Sequence, residues 1–314
     1  MNIVDVSRHQ RTFDARVAKD AGVDGVIVRH AYGTKKDTLA LSWASDIKAQ
    51  GLPLGGYGFA TWHYKSQNGG SVQKARTLMR QQINVWIAAA RESGCDFWFA
   101  VDQEIEQGQI MGLNKLDNTA LLNEACDILR NAGLHPCVYC SVAWDMNYIR
   151  TSVFRYDYWM ARYYDNKADF GSVGASLDAL PDNRYTRWMR QLREQDRLIG
   201  WQFASIGFGK KYGAGSVNID RNVFYRTPTG FSDWKNPVQP QQRLQYVAVG
   251  PLSSGDLRTV QNRLNEMLVD SHTVNGILYT DVPLSTGDQA AMIRLAQDLQ
   301  VPVRLGDRPF TAER

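Results

Sequence analysis

Phe97-Trp98-Phe99-Ala100-Val101-Asp102-Gln103-Glu104 runs from an unbroken apolar stretch straight into two carboxylates one residue apart. The apolar part reads as a buried strand, in which successive side chains point to opposite faces, so Asp102 and Glu104 share a face. Two acids held this close disfavour joint ionisation, and one of their pKa values is expected to rise. A carboxyl kept protonated near neutral pH is what a general acid requires. The same residues also fit an acidic loop edge in solvent, and Glu106 just beyond them fits that plainer reading.

Seven more short apolar runs flank this one: Ile3–Val6, Gly25–Arg29, Leu54–Ala60, Cys137–Cys140, Tyr158–Ala161, Leu198–Phe203 and Val217–Asp220. Helical spacing follows each of the first five strands, over residues 14–21, 37–50, 71–92, 116–131 and 143–150. Residues 163–197 are polar and irregular, with one helix expected near Arg184–Glu194. This alternation spells an α/β fold, a parallel TIM-like barrel. Acids fall at the strand ends: Asp5 on the first, Asp102 and Glu104 on the fourth, Asp220 on the eighth. In a barrel those ends lie on one face, where catalytic groups collect, and the first and last strands are neighbours on closure. Four acids from three strands converging is a stronger sign of an active site than any one of them.

Composition removes several other classes. The net charge is only +4 and no dense Lys/Arg block occurs, so nucleic acid is not an expected partner. Most of the 9 Trp and 14 Tyr are expected to pack, but aromatics stack on sugar rings, which mildly favours carbohydrate. No GxGxxG or P-loop opens a helix, and no GxSxG is present, so nucleotide binding and acyl transfer are unsupported. His9, His30, His63, His135 and His272 lack ligand spacing and read as packing or surface; His30 and His63 follow the second and third strands. Cys137 and Cys140 lie in a strand and point apart, so Cys95, Cys126, Cys137 and Cys140 are expected to be free thiols of a reducing compartment. Neither metal nor cofactor is expected. The start Met1-Asn2-Ile3-Val4-Asp5 lacks the basic and apolar regions of a signal peptide, and no run reaches membrane-spanning length, so no membrane insertion is expected.

Set side by side, these fragments resemble the Chalaropsis-type lysozymes, glycoside hydrolase family 25. Asp5-Val6-Ser7 resembles the opening D-[VI]-S, and Gly25–Arg29 with Gly33 and Asp37 the second strand and loop. Gly56-Tyr57-Gly58-Phe59 resembles G-x-Y-H-F, and Asp102-Gln103-Glu104 the D-x-E signature. Tyr139-Cys140-Ser141, Trp159-Met160-Ala161, Trp201-Gln202-Phe203 and Ile219-Asp220 resemble the later strands, so the likeness runs over about 1–226. Any one fragment is weak; their joint order is specific. The resemblance implies a (βα)5β3 barrel that cleaves the β-1,4 bond between N-acetylmuramic acid and N-acetylglucosamine in peptidoglycan. It implies Glu104 as general acid/base and Asp102 as the partner of the substrate's 2-acetamido group, with net retention. Asp5 and Asp220 would sustain the negative field. Tyr57, Tyr139, Trp159, Trp201 and Gln202 would line the sugar cleft, and Arg162 would add a cation to its floor. Gly58 stands where the family has His, which would remove a cleft donor, and 163–197 is longer than the family's usual connection. Tyr163 and Tyr164 fit cleft and surface equally well. The contrary reading is a catalytically inactive barrel that only binds glycan; the four retained acids argue against it.

Residues 227–244 carry Pro228, Pro237 and Pro240 among polar residues and read as a linker. Beyond it, Pro251-Leu252-Ser253-Ser254-Gly255-Asp256 recurs as Pro283-Leu284-Ser285-Thr286-Gly287-Asp288. Each copy follows a short apolar strand and precedes a helical run, with Ser253 and Ser285 as N-caps. Residues 245–314 thus read as a small β-α-β-α-β module of α+β type. By position it resembles wall-binding or oligomerisation modules, through which the chain would form a homo-oligomer; a plain structural appendage weighs equally. A signal-less enzyme of this kind suits an endolysin made in the bacterial cytoplasm and released to act on the wall.

Overall fold

The computed structural model describes residues 1–228, 246–266, 271–280 and 286–306. The chain divides into two compact units, Met1–Pro237 and Val238–Arg314. The linker expected over 227–244 lies, beyond Pro228, outside the described residues.

The first unit is a closed barrel. Its strands are β1 (Asn2–Val6), β2 (Gly25–Tyr32), β3 (Lys35–Lys36), β4 (Leu54–Phe59), β5 (Trp98–Asp102), β6 (His135–Ser141), β7 (Asp157–Ala161), β8 (Leu198–Ala204) and β9 (Asp220–Phe224). The order β1-β9-β8-β7-β6-β5-β4-β2 closes through a β1–β2 pairing, and the two-residue β3 is only a hairpin extension of β2. Five helical stretches cross over between the early strands, at Ala15–Asp20, 38–49, Val72–Ser93, Lys115–Asn131 and Val142–Tyr148. The continuous helix expected over 37–50 is broken into Thr38–Leu41 and Ala44–Ala49, where Trp43 turns into the core against Phe13. The Ser71 hydroxyl accepts the Lys74 amide to start the longest helix, and Gly94 in the left-handed region ends it.

The last strand departs from expectation. The barrel is not wholly parallel: β9 is antiparallel to both β8 and β1, and it begins at Asp220 rather than at Val217, which is 76% exposed. A parallel return needs a substantial crossover, usually a helix, whereas 205–219 holds only the short turn Lys210–Tyr212. Reversal brings the start of β9, not its end, to the mouth. Asp220 thereby becomes the direct cross-strand partner of Asp5.

Strand alternation sorts the apolar side chains. Ile3, Ile27, Ala100, Cys137, Trp159, Ile199 and Phe224 point inward and fill the barrel, while Val4, Val28, Phe99, Val101, Val138, Met160 and Phe203 pack outward under the helices. Position 58 is an outward one. A Cβ there would lie 2.1 Å from the Trp86 ring of Val72–Ser93, so Gly58 is required by the indole that fills its place. Its missing side chain therefore takes no donor from the cleft, contrary to the sequence reading.

The second unit has a four-stranded antiparallel sheet, order β11-β12-β10-β13, from β10 (Tyr246–Val249), β11 (Ser271–Val274), β12 (Ile277–Thr280) and β13 (Val303–Gly306). Helices Ser254–Glu266 and Thr286–Asp298 connect them, and Val247, Val249, Val260, Leu264, Leu278, Met292 and Ala296 form the core. The pattern is β-α-β-β-α-β, because a hairpin replaces the single middle strand expected. Asn275 and Gly276, both at positive φ (52° and 76°), make its two-residue turn. Ser253 Oγ accepts the Asp256 amide at 3.2 Å as expected of an N-cap; the matching Ser285–Asp288 falls outside the described side chains.

Candidate active site

The mouth of the barrel is a cleft lined by Asp5, Ser7, His9, Gln10, Arg29, Tyr57, Phe59, Asp102, Glu104, Tyr139, Trp159, Tyr163, Gln202, Ser205 and Asp220. All four acids singled out in the sequence meet here. Asp5 and Asp220 come from the β1–β9 seam, Asp102 from the end of β5, and Glu104 from the segment just beyond. Glu106 is exposed and receives the Tyr32 hydroxyl, so it stays outside the cleft lining.

The acids differ in their partners. Asp5 Oδ2 accepts Gln202 Nε2 at 2.9 Å and Asn222 Nδ2 at 2.8 Å. Gln202 Oε1 in turn accepts the hydroxyls of Tyr139 (2.8 Å) and Tyr163, and Asn222 Oδ1 accepts Trp159 Nε1 at 2.9 Å. Burial pushes Asp5 up to about 6, and its two amide donors oppose the shift. Asp102 is equally buried, yet its Oδ1 has no hydrogen-bond partner among the described residues. Burial first, then the charges of Glu104 and Asp5, hold it well above the ordinary carboxylate range. Glu104 is raised by burial and by Asp5 and Glu106, with the neighbouring Tyr139 hydroxyl opposing the shift. Asp220 is raised by burial and by Asp5 and Glu104. Arg29 is the cleft's arginine, but Asp37 takes its Nε at 2.7 Å and a terminal nitrogen at 2.6 Å, so it only partly offsets the acids. A mouth of this kind keeps protons on carboxyls at pH values where a free carboxylate has lost them.

Of the residues expected to line the cleft, Tyr57, Tyr139, Trp159 and Gln202 do so. Trp201 and Arg162 do not. Alternation on β8 turns Gln202 inward and sends Trp201 outward, where it is fully buried beside Phe203 and donates Nε1 to the Arg162 carbonyl at 2.9 Å. The Arg162 guanidinium lies over the Tyr185 ring, 4.7 Å from its centroid, in the outer layer. Tyr163 lines the cleft, and Tyr164 is half exposed. Sequence reasoning did not assign Ser7, His9, Gln10, Arg29, Phe59 and Ser205 to the lining, nor Asn222 behind it. Asn222 was open to inference, since it lies two residues past Asp220 on the same strand face.

The eight-stranded α/β barrel thus carries four carboxylates and three tyrosines at its mouth. The model of the glycosyl hydrolases family 25 matches residues 4–207. The chain belongs to that family and is a glycoside hydrolase. No curated protein matches it. Among solved structures, the catalytic domain of an endolysin from a Listeria monocytogenes bacteriophage is similar, with TM-score 0.51 and 18% identity over 75% of this chain and 97% of that one. The modular autolysin of Streptococcus pneumoniae, in complex with a synthetic peptidoglycan ligand, has the same score and identity over 71% of this chain and 46% of its own. At such identity these two establish the fold.

Proposed function

We propose that the chain is a peptidoglycan muramidase that cuts the β-1,4 bond between N-acetylmuramic acid and N-acetylglucosamine with net retention, assisted by the substrate's own acetamido group. Glu104 in its protonated form gives its proton to the glycosidic oxygen as that bond breaks. The acetamido carbonyl oxygen attacks the anomeric carbon and closes an oxazolinium ring. Asp102 accepts a hydrogen bond from the acetamido N–H, which stays on nitrogen, and faces the positive charge that develops there. Water then opens the ring at the anomeric carbon, giving a proton back to Glu104. Substrate assistance is a known departure from the two-carboxylate scheme. The observation that carries this reading is that Asp102 and Glu104 line one cleft, the second a carboxyl whose pKa is raised. Asp5 and Asp220 supply the field, and the tyrosines the walls.

Clearing of Gram-positive cell walls by wild type and Glu104→Gln tests it. The variant is expected to lose activity by about a thousandfold, the order of a missing general acid. Equal clearing by both removes Glu104 from its role. Clearing by neither, with glycan still bound, supports the inactive binder instead. New reducing ends must be muramic acid, and the first-formed anomer, read by NMR, must be β. For residues 245–314 the reading is wall attachment or self-association of an endolysin-like enzyme. A chain ending at residue 228 that binds walls equally and has an unchanged oligomeric state overturns both.

A further inference from the structure

The acid of this site sits beyond the end of its strand, one residue past the last bond to the sheet, from the Gln103 amide to the Tyr139 carbonyl at 2.9 Å. β5 ends at Asp102, and Glu104 follows in irregular chain. Something else must hold it, because a reacting group displaced by about 1 Å loses about a hundredfold in rate. The surrounding structure supplies one residue that touches this segment three times.

His63 follows β4 and is fully buried. Its Nε2 lies 2.7 Å from the Glu104 carbonyl oxygen. A carbonyl only accepts, so Nε2 carries the proton, and Nδ1 is left to accept from Gln103 Nε2 at 3.2 Å. The backbone carbonyl of His63 accepts the Gly112 amide at 2.8 Å, at the far end of the same segment. The imidazole is itself held edge-on between Tyr64 (4.6 Å between centroids) and Trp144 (5.2 Å). Burial depresses its pKa to about 4, so it stays in this neutral, one-donor, one-acceptor form across the working range.

We infer that His63 is a positioning residue for the general acid: it holds the Glu104 carbonyl and the Gln103 side-chain amide at once and so sets where the Glu104 carboxyl stands. The inference rests on the reading of Glu104 as acid/base. It does not make His63 a group that touches substrate. The carboxyl it positions faces Asp5, Asp102, Glu106 and the Tyr139 hydroxyl, and its raised pKa depends on staying among them.

The test is steady-state kinetics across pH on soluble muropeptide chains for wild type, His63→Phe, His63→Gln and Glu104→Gln. His63→Phe keeps an aromatic ring between Tyr64 and Trp144 and removes both ring hydrogen bonds. It is expected to lower kcat by about tenfold to a hundredfold with KM within about twofold. It also moves the basic limb of the kcat profile to lower pH, as a less confined Glu104 becomes a stronger acid. His63→Gln carries an N–H donor and an oxygen acceptor near the two ring nitrogens, and is expected to recover most of the rate and the wild-type limb. If His63→Phe fails to fold, Gln103→Leu, which removes only the partner of Nδ1, is expected to give the same limb shift in smaller degree. Wild-type kcat and limb in the folded variants, with only thermal stability lowered, overturn the positioning role while leaving Glu104 in place. An active Glu104→Gln overturns the underlying assignment instead.

Discussion

The two acidic sides of the mouth are built in opposite ways. At the β1–β9 seam Asp5 meets two side-chain amides, which are themselves held by Tyr139, Tyr163 and Trp159. Across the barrel at β5, Asp102 has a buried oxygen that none of the described residues bonds. Removing a carboxylate from water without a donor is costly, and folded proteins seldom leave such a group unmatched. The seam therefore serves as fixed machinery, a charge placed and moderated in advance. The β5 side keeps one carboxyl oxygen unmatched among the described residues.

Asp102→Asn breaks the contrast most strongly. It replaces an acceptor and charge with a neutral amide, and kcat on cell walls is expected to fall by about a hundredfold or more. Stability should move the other way. A carboxyl whose folded pKa is raised contributes stability below its unfolded pKa and loses it as pH rises through the folded value. At pH 7 the neutral variant is therefore expected to melt about 2–4 °C above wild type, with the gap closing near pH 4. Calorimetry at the two pH values checks both signs.

Asn222→Leu disturbs the seam instead. It takes one of the donors that restrain Asp5, so that carboxyl moves above about 6, and it strands the Trp159 indole N–H. Kinetics should show a fall of about tenfold in kcat, and denaturant unfolding a loss of about 1–3 kcal/mol. The wild type carries a gentler signature of the same region. With Asp5 at about 6, its contribution to stability is expected to drain away between about pH 4 and 7, and Asp5→Asn should flatten that part of the melting-temperature profile. Glu106→Gln marks the floor of the series: outside the cleft lining, it should leave kcat and KM within about twofold.

The comparison also separates what a sequence discloses from what it does not. The barrel strands and their acids stood out because apolar runs and charged ends are local patterns. Strand direction is not local, and β9 was read as parallel since alternation looks the same in either sense. The length and character of 205–219 held the answer, for no helix there carries the chain back. The family resemblance implies both Trp201 and Gln202 in the cleft, yet Gln202 faces inward, and neighbours on this strand do not both do so. Arg162 failed for a similar reason, turned out onto Tyr185. Asn222 goes unnoticed in the sequence and His63 reads there only as packing or surface after the third strand, because their work is to hold other groups, and only contacts across long sequence separations reveal it. Gly58 looked like a lost donor until the indole packed against it came into view.

The seam has a bearing on how the molecule comes into being. Asn222 and Asp5, bonded to one another, are 217 positions apart in sequence. Their strands can pair only once nearly the whole barrel has been synthesised and folded around them. Contacts this remote are the slow ones in folding, since the loop entropy is spent before they form. Until that last pairing the mouth lacks its neighbouring acids, and the β5 carboxyls stand free of the field that raises them. A nascent chain is thus a hydrolase without its site, and the closing of the barrel is the moment that site comes into being.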